Sequence, residues 1–167
     1  MHDHRAHEGA QKLYDLVKDV KVCMMTTLQA DGTLHGRPMY GLESDEPGDL
    51  WFYTYLDTSK TTEIGRDGHV NLAYCNPDKQ HYVSVLGRAE VVRDKDAMAA
   101  KWKESFRTWI PKGVDQPGLA LIRVHPERGE YWDGPSGVAV QLYGYVKARV
   151  AGEPPTELTD NRKVDLR

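Results

Sequence analysis

The sequence is poor in cysteine and carries no large excess of charge of either sign. Its two cysteines, Cys23 and Cys75, have no close-spaced partner, which excludes a Cys-x-x-Cys redox pair. We expect both to be small buried hydrophobic residues of a cytoplasmic protein, because that compartment keeps thiols reduced. The net charge of −3, from 22 basic and 25 acidic residues, lacks the basic face that is typical of nucleic-acid-binding proteins.

Long apolar runs and the common catalytic and cofactor motifs are also absent. No stretch approaches the length of a membrane span, and the start of the chain lacks the apolar centre of a signal peptide. Neither Gly-x-Gly-x-x-Gly nor Gly-x-Ser-x-Gly occurs, which excludes the usual dinucleotide fingerprint and the hydrolase elbow. His2, His4 and His7 have no second cluster to complete a metal site, so we predict a solvated terminus and no metal.

What the sequence does contain is a series of short strands with helices between them. Apolar spacing predicts a helix over 10–20, and Asp31-Gly32 predicts a hairpin turn. Alternating apolar residues predict further strands, the last two joined by a turn at Pro126–Gly129. The stripe from Met98 to Trp109 is interpreted as core packing on one helix. About six antiparallel strands with inserted helices favour a small closed or partly closed barrel.

The domain organisation is predicted to be simple. Residues 1–150 are expected to form a single domain, which ends with an amphipathic helix over 138–146. Residues 151–167 are polar, contain Pro154-Pro155, and are expected to form an extended or mobile tail.

The most informative stretch is Trp51–Thr54 followed by Thr58-Ser59-Lys60. Aromatic and β-branched residues predict a strand, and the small hydroxyl residues predict a helix start. A helix start beside a lysine is a plausible phosphate site next to an aromatic wall, whereas the alternative is an ordinary capped surface helix. Arg37-Pro38-Met39 also allows a functional and a structural interpretation. It is either a strand edge that faces a ligand or an ordinary edge strand. Trp132 is either a wall for a flat ring or a core or interface aromatic residue.

The order of these motifs resembles the FMN-binding split barrels of the pyridoxamine 5'-phosphate oxidase-like superfamily. Within that superfamily the chain is similar to the general stress protein 26 branch, over about residues 24–137. The motifs that carry the resemblance are Arg37–Met39, Trp51–Thr54, Thr58–Lys60, Tyr82–Glu90 and Glu130–Gly134, together with Trp132–Gly137 and Asn161–Val164.

The resemblance implies an antiparallel, Greek-key-like split β-barrel that forms a homodimer, with FMN at the subunit interface. Arg37 would meet the phosphate or ribityl chain, and Pro38 and Met39 would present backbone to the flavin ring. The remaining contacts implied by the resemblance are Tyr53 and Thr54 along the ring and ribityl side, Thr58, Ser59 and Lys60 around the phosphate, Tyr82 where the oxidases carry a flavin-contacting Gln, and Trp132 from the partner subunit.

The chain also departs from the true oxidases. They hold pyridoxal phosphate with basic residues after the last aromatic strand, but residues 134–140 contain neither Arg nor His. We therefore predict that the protein does not oxidise pyridoxamine phosphate at a useful rate. The expected function is redox chemistry by FMN on an unidentified small molecule, and the resemblance to the general stress protein branch implies a role in the stress response. The alternatives are a non-catalytic flavin-binding or sensing protein and, third, a split barrel that binds deazaflavin or haem.

Overall fold

The computed structural model describes residues 2–42, 48–134 and 160–166, with side chains from Glu8 onward. The elements follow in this order: α1 (His2–Asp19), β1 (Val22–Leu28), β2 (Leu34–Tyr40), β3 (Leu50–Tyr55), α2 (Ser59–Arg66), β4 (His69–Asn76), β5 (His81–Val92), α3 (Lys95–Ala100), two 3₁₀ helices (Glu104–Thr108 and Gly113–Asp115), β6 (Leu119–Asp133) and β7 (Asp160–Asp165).

The strands of the described residues form one antiparallel sheet in the order β2-β1-β4-β5-β6-β3. An isolated bridge between Gly41 and Phe52 joins the two edges of this sheet, and Leu42 N–H donates to the Trp51 carbonyl at 2.8 Å. The sheet therefore curls into a barrel that is closed at one end of the seam between β2 and β3. This mostly antiparallel barrel confirms the predicted fold class.

Two hydrophobic clusters lie on opposite faces of β3 and β6. Inside the barrel, Phe52 and Ile122 are completely buried with side chains of α1 and the other strands. Outside it, the connection between β5 and β6 (residues 93–118, here called the β5–β6 connection) packs Met98 and Phe106 against the outward residues of β3 and β6. The alternation of side chains along a strand allows one strand to serve both clusters.

Local turn chemistry agrees with the sequence. Gly32 has a φ of 85°, and Gln29 N–H donates to the Thr33 carbonyl at 2.8 Å, which confirms the predicted hairpin. Asp94 begins α3 by accepting a hydrogen bond from Ala97 N–H at 2.7 Å. The predicted burial of the cysteines is confirmed for Cys23, whereas it is wrong for Cys75, which lies exposed on β4.

The predicted turn at Pro126–Gly129 is wrong, because β6 runs unbroken through it. The extra residue there is absorbed by a bulge opposite Gly87, which pairs with Pro126 while Glu127 is skipped. Proline lacks an N–H to donate and is tolerated at a bulge. Glycine is needed on the facing strand, since a Cβ at Gly87 would lie 2.5 Å from the His125 carbonyl oxygen.

The end of the described chain returns to the sheet. Residues Asp160–Asp165, in the region predicted as a polar tail, pair with Arg128–Asp133 of β6 as strand β7. The predicted helix over 138–146 and the predicted domain boundary at residue 150 lie outside the described residues. Within the described residues, no helix is both long and apolar enough to cross a membrane.

Candidate functional site

A cavity of about 250 Å³ opens on the outer side of the seam between β2 and β3. It forms where these two strands diverge from their single bridge, and the β5–β6 connection covers its remaining side. Its lining is mostly aromatic and aliphatic, with one lysine among the described residues that surround it. The lining residues are Pro38, Met39, Tyr40, Leu42, Tyr53, Thr54, Tyr55, Lys60, Phe106, Trp109, Ile110 and Leu119.

Half of the predicted flavin-binding residues meet at this cavity. They come from β2, β3 and the first turn of α2, which are consecutive elements of the chain. Thr58 and Ser59 immediately precede the cavity-lining lysine, so they belong to the same region of the surface. The predicted residues that line the cavity are Pro38, Met39, Tyr53, Thr54 and Lys60.

The start of α2 offers hydrogen-bond donors to an anion. Helix α2 begins at Ser59, and Thr58 is its N-cap residue in an extended conformation. The Thr58 hydroxyl does not cap the helix, because it donates to the Tyr55 carbonyl at 2.9 Å. N–H groups in the first turn of a helix carry partial positive charge and attract anions. The Thr61 N–H donates to the Thr58 carbonyl at 3.2 Å, so the N–H groups of Ser59 and Lys60 are those available to an anionic group at the cavity.

Lys60 supplies the positive charge at this end of the cavity. Its side chain is half-buried. Burial lowers the pKa of Lys60, and the nearby positive charge of Arg37 lowers it further. Asp57 and Glu63 act in the opposite direction. An anion bound here would favour the charged ammonium and offset both lowering effects.

Arg37 lies close to Lys60 but faces a different environment. Its Nη2 donates to Glu63 Oε2 of α2 at 2.7 Å, and its Nη1 donates to Thr27 Oγ1 at 2.5 Å. Alternation along β2 directs Arg37 away from the face that carries Pro38 and Tyr40. The guanidinium is thus held between the barrel and α2, outside the cavity lining, and its contact with a flavin remains a prediction.

Glu63 is the centre of this polar network. Its residue surface is 8% exposed, and Oε2 also accepts a hydrogen bond from the Thr27 hydroxyl at 2.5 Å. Burial alone raises the pKa of Glu63, but hydrogen bonds from Thr27 and Arg37 and the charge of Arg37 lower it overall. The carboxylate is therefore ionised at neutral pH and ties β1, β2 and α2 together.

Tyr53 contributes a ring rather than an acid or base. Burial raises the pKa of Tyr53 to about 12, so its phenol stays protonated at neutral pH. Its hydroxyl donates to the Met98 carbonyl at 2.5 Å, and its ring packs edge-on against Trp102 and Phe106. Thr54, the next residue, is 4% exposed. No carboxylate or imidazole occurs among the described residues that line the cavity.

Tyr82 and Trp132 form a second group that does not line the cavity. They are directly paired across β5 and β6, and Tyr82 is 40% exposed. Ala120 of β6 pairs with Thr54 beside the cavity, and Trp132 lies twelve residues further along the same strand. At about 3.3 Å per residue this is roughly 40 Å of strand. Within one subunit, Tyr82 and Trp132 are therefore far from the predicted flavin residues that line the cavity.

The β5–β6 connection contributes residues that the sequence did not assign to the site. The stripe from Met98 to Trp109 is not one helix, because α3 ends at Ala100 and a 3₁₀ helix begins at Glu104. Core packing is confirmed for Met98 and Phe106, which are 3% and 6% exposed, whereas Trp109 is 66% exposed. Pro111 just after Trp109 was a signal that helical spacing should not be extended to this point.

Comparison with known proteins places the fold in a recognised family. The family model described as pyridoxamine 5'-phosphate oxidase like matches residues 8–156. Protein bli-3 of Neurospora crassa is 27% identical over 160 residues, which cover 87% of this chain and 76% of that protein.

Solved structures with the same fold include several named for general stress proteins. One described as general stress protein 26 from Jannaschia sp. CCS1 has a TM-score of 0.73 at 24% identity, covering 92% of this chain and 95% of its own. A general stress FMN/FAD binding protein from Xanthomonas citri has a TM-score of 0.68 at 25% identity, covering 79% and 93%. With the family model spanning most of the sequence, the chain belongs to the pyridoxamine 5'-phosphate oxidase-like family, as its motifs predicted.

Proposed function

We propose that this protein binds FMN in the seam cavity and uses it for redox chemistry on a small molecule. The observation that carries the proposal is the position of Lys60. It stands in the first turn of α2, where the side chain of Thr58 makes no capping hydrogen bond, at the edge of a cavity with aromatic walls. A terminal phosphate suits the helix start and the lysine, and a flat apolar ring suits the aromatic side.

The family and the neighbours support a flavin as the ligand. The Xanthomonas citri protein that shares the fold is described as binding FMN or FAD. FMN is favoured over FAD here because the described lining of the cavity offers one lysine, which suits one terminal phosphate. Names of several neighbours favour a role connected with stress.

A bound flavin would supply hydride or electron transfer, and the chain's own residues would bind and orient it. The walls at the seam between β2 and β3 would shield part of a bound ring from water, and the protonated Tyr53 would add an uncharged aromatic surface. Because the described lining offers neither a carboxylate nor an imidazole, we assign no acid–base residue, and substrate specificity would come from shape and polarity.

We further propose that the active unit is a homodimer in which Trp132 of one subunit approaches the flavin of the other. The outer face of the sheet between the two groups of predicted residues is unusually apolar. Val22 and Met24 on β1 are 50% and 45% exposed, and Leu34 on β2 is 74% exposed. This exposed face connects Pro38 at the cavity with Tyr82 on β5 through paired strands. A second copy would cover it and bring the two groups together.

The test of flavin binding is to purify the protein and identify what copurifies by absorbance and mass spectrometry. We expect a yellow protein that releases FMN on denaturation. A colourless protein that takes up no added flavin would contradict the proposal. Release of haem or a deazaflavin would contradict it too, and would favour the third alternative predicted from the sequence.

The second candidate function is a non-catalytic flavin-binding or sensing protein. The observation that favours it is the absence of a carboxylate or an imidazole from the described lining. Reduced flavin that is reoxidised with turnover of a defined substrate would identify an enzyme. Flavin binding that changes only the stability of the protein or its binding to a partner would identify a sensor. The prediction that pyridoxamine phosphate is not oxidised remains open, because residues 135–140 lie outside the described part of the chain.

A further inference from the structure

Trp109 combines a fixed backbone with an exposed ring. Its N–H donates to the Phe106 carbonyl at 3.0 Å, and its carbonyl accepts a hydrogen bond from the Tyr55 hydroxyl at 3.3 Å. The two partners of the Trp109 backbone lie on the β3 side of the cavity, because Tyr55 belongs to β3 and Phe106 packs against Tyr53 of β3. The indole itself is 66% exposed, although burying such a side chain is strongly favourable. A hydrogen-bonded backbone that presents an exposed aromatic ring is typical of a surface that binds a ligand.

The Trp109 ring lies at the seam itself. Its centroid is 6.1 Å from that of Tyr40 on β2, with the two rings tilted by 33°. Tyr40 is also exposed, at 39%. Because the Trp109 carbonyl is bound by Tyr55 on β3, this residue connects the two strands where they are no longer paired. Trp109 and Tyr40 both line the cavity that contains Lys60.

Two other tryptophans of the described chain already have partners in the protein. Trp51 lies beneath Lys101, with Nζ 4.3 Å from its ring centroid, and near the guanidinium of Arg123. Trp102 packs edge-on against Tyr53 and Phe106. Neither lines the cavity. In contrast, the Trp109 ring has one tilted aromatic neighbour and a largely open surface.

We propose that Trp109 stacks on the isoalloxazine ring of the bound flavin, so that the β5–β6 connection is part of the cofactor site. This inference rests on the proposed function. A ring occupies this cavity better than a charged ligand does, because its walls near Trp109 are Tyr40, Tyr55 and Ile110. Stacked aromatic pairs are stabilised beyond the area they bury, which gives this contact a measurable effect on affinity.

The test compares Trp109→Phe and Trp109→Leu in equilibrium titrations with FMN and with riboflavin. Phenylalanine keeps an aromatic face, whereas leucine keeps an apolar side chain without one. Riboflavin has the same ring as FMN but no phosphate, so a ring contact affects both ligands equally. Trp102→Leu is the matched control in the same connection, and thermal unfolding verifies that each variant is folded.

We expect Trp109→Leu to weaken both ligands by the same factor, about twofold to tenfold, and Trp109→Phe to retain most of the affinity. Flavin fluorescence should be more strongly quenched in the wild type than in Trp109→Leu, because a stacked indole quenches an excited flavin. Unchanged affinity and fluorescence in a folded Trp109→Leu variant would overturn the inference. So would an equal loss in Trp109→Phe or in Trp102→Leu. Failure of the wild type to bind any flavin would instead overturn the proposed function.

Discussion

The Nη2 atom of Arg37 donates a hydrogen bond of 2.7 Å to Oε2 of Glu63, which joins strand β2 to helix α2 beneath the cavity. Glu63 is 8% exposed, and the guanidinium also binds the Thr27 hydroxyl. A charged pair of this kind is costly to break, because removal of one charge leaves the other buried without a counter-charge. It fixes the helix that carries Lys60 relative to the strands that line the cavity.

The first prediction concerns this ion pair. Glu63→Gln keeps the size of the side chain but removes the negative charge beside Arg37. We expect the free energy of unfolding to fall by roughly 3–5 kcal/mol, the cost typical of breaking a buried pair. Chemical denaturation measures it, with Glu8→Gln on the exposed face of α1 as the matched control. A loss no larger than that of the control would show that the pair does not stabilise the fold.

The second prediction is the pH dependence of the same contribution. The folded-state pKa of Glu63 lies below its ordinary value of 4.5, despite burial, because Thr27 and Arg37 stabilise the carboxylate. The stabilisation is therefore fully present above pH 4.5 and is lost as pH falls through the folded-state pKa. The difference in unfolding free energy between wild type and Glu63→Gln should be constant near neutral pH and shrink under acid. A difference that grows on acidification would contradict this account.

Strand alternation explains why only part of the site was predictable from the sequence. Arg37 and Pro38 are adjacent in a strand, so their side chains must point to opposite faces. A motif that names both residues does not say which of them faces the ligand. Pro38 lines the cavity, whereas Arg37 is bound by a carboxylate from an element 26 residues further along the chain. That partner depends on how α2 packs against the barrel, which no local pattern specifies.

The same distinction applies to the fold. The Asp31-Gly32 hairpin depends on local chemistry, and it was predicted correctly. The strand β6 was divided in error because Pro126–Gly129 has the composition of a turn. Pairing with β5 on one side and with β3 and β7 on the other keeps it extended. Trp109 was assigned to the core because helical spacing was extended past the end of α3.

The third prediction tests the proposed dimer by complementation. In a homodimer with shared sites, Lys60→Ala and Trp132→Ala damage the same site from different subunits. A mixed dimer then contains one site with both residues intact and one with neither. We expect flavin binding in differently tagged, coexpressed mixed dimers to recover to about half of the wild-type stoichiometry, while each variant alone binds weakly.

The control for this experiment is a mixed dimer of Lys60→Ala with wild type, which has one intact Lys60 and both Trp132 residues. A monomeric protein in size-exclusion chromatography at assay concentration would refute the shared site. Normal flavin binding by the Trp132→Ala variant alone would show that Trp132 is not part of the flavin site. The residues at the cavity and the pair Tyr82 and Trp132 would then be unrelated.

The central claim is that Lys60 holds the phosphate of FMN at the cavity, and its most direct test is a titration of wild type and Lys60→Ala with FMN and riboflavin. A charge-assisted hydrogen bond of about 1.5–3 kcal/mol corresponds to roughly a tenfold to hundredfold change in affinity. The account predicts that loss for FMN, with riboflavin affinity unchanged and the variant folded as judged by thermal unfolding. Equal FMN affinity in wild type and Lys60→Ala would contradict it.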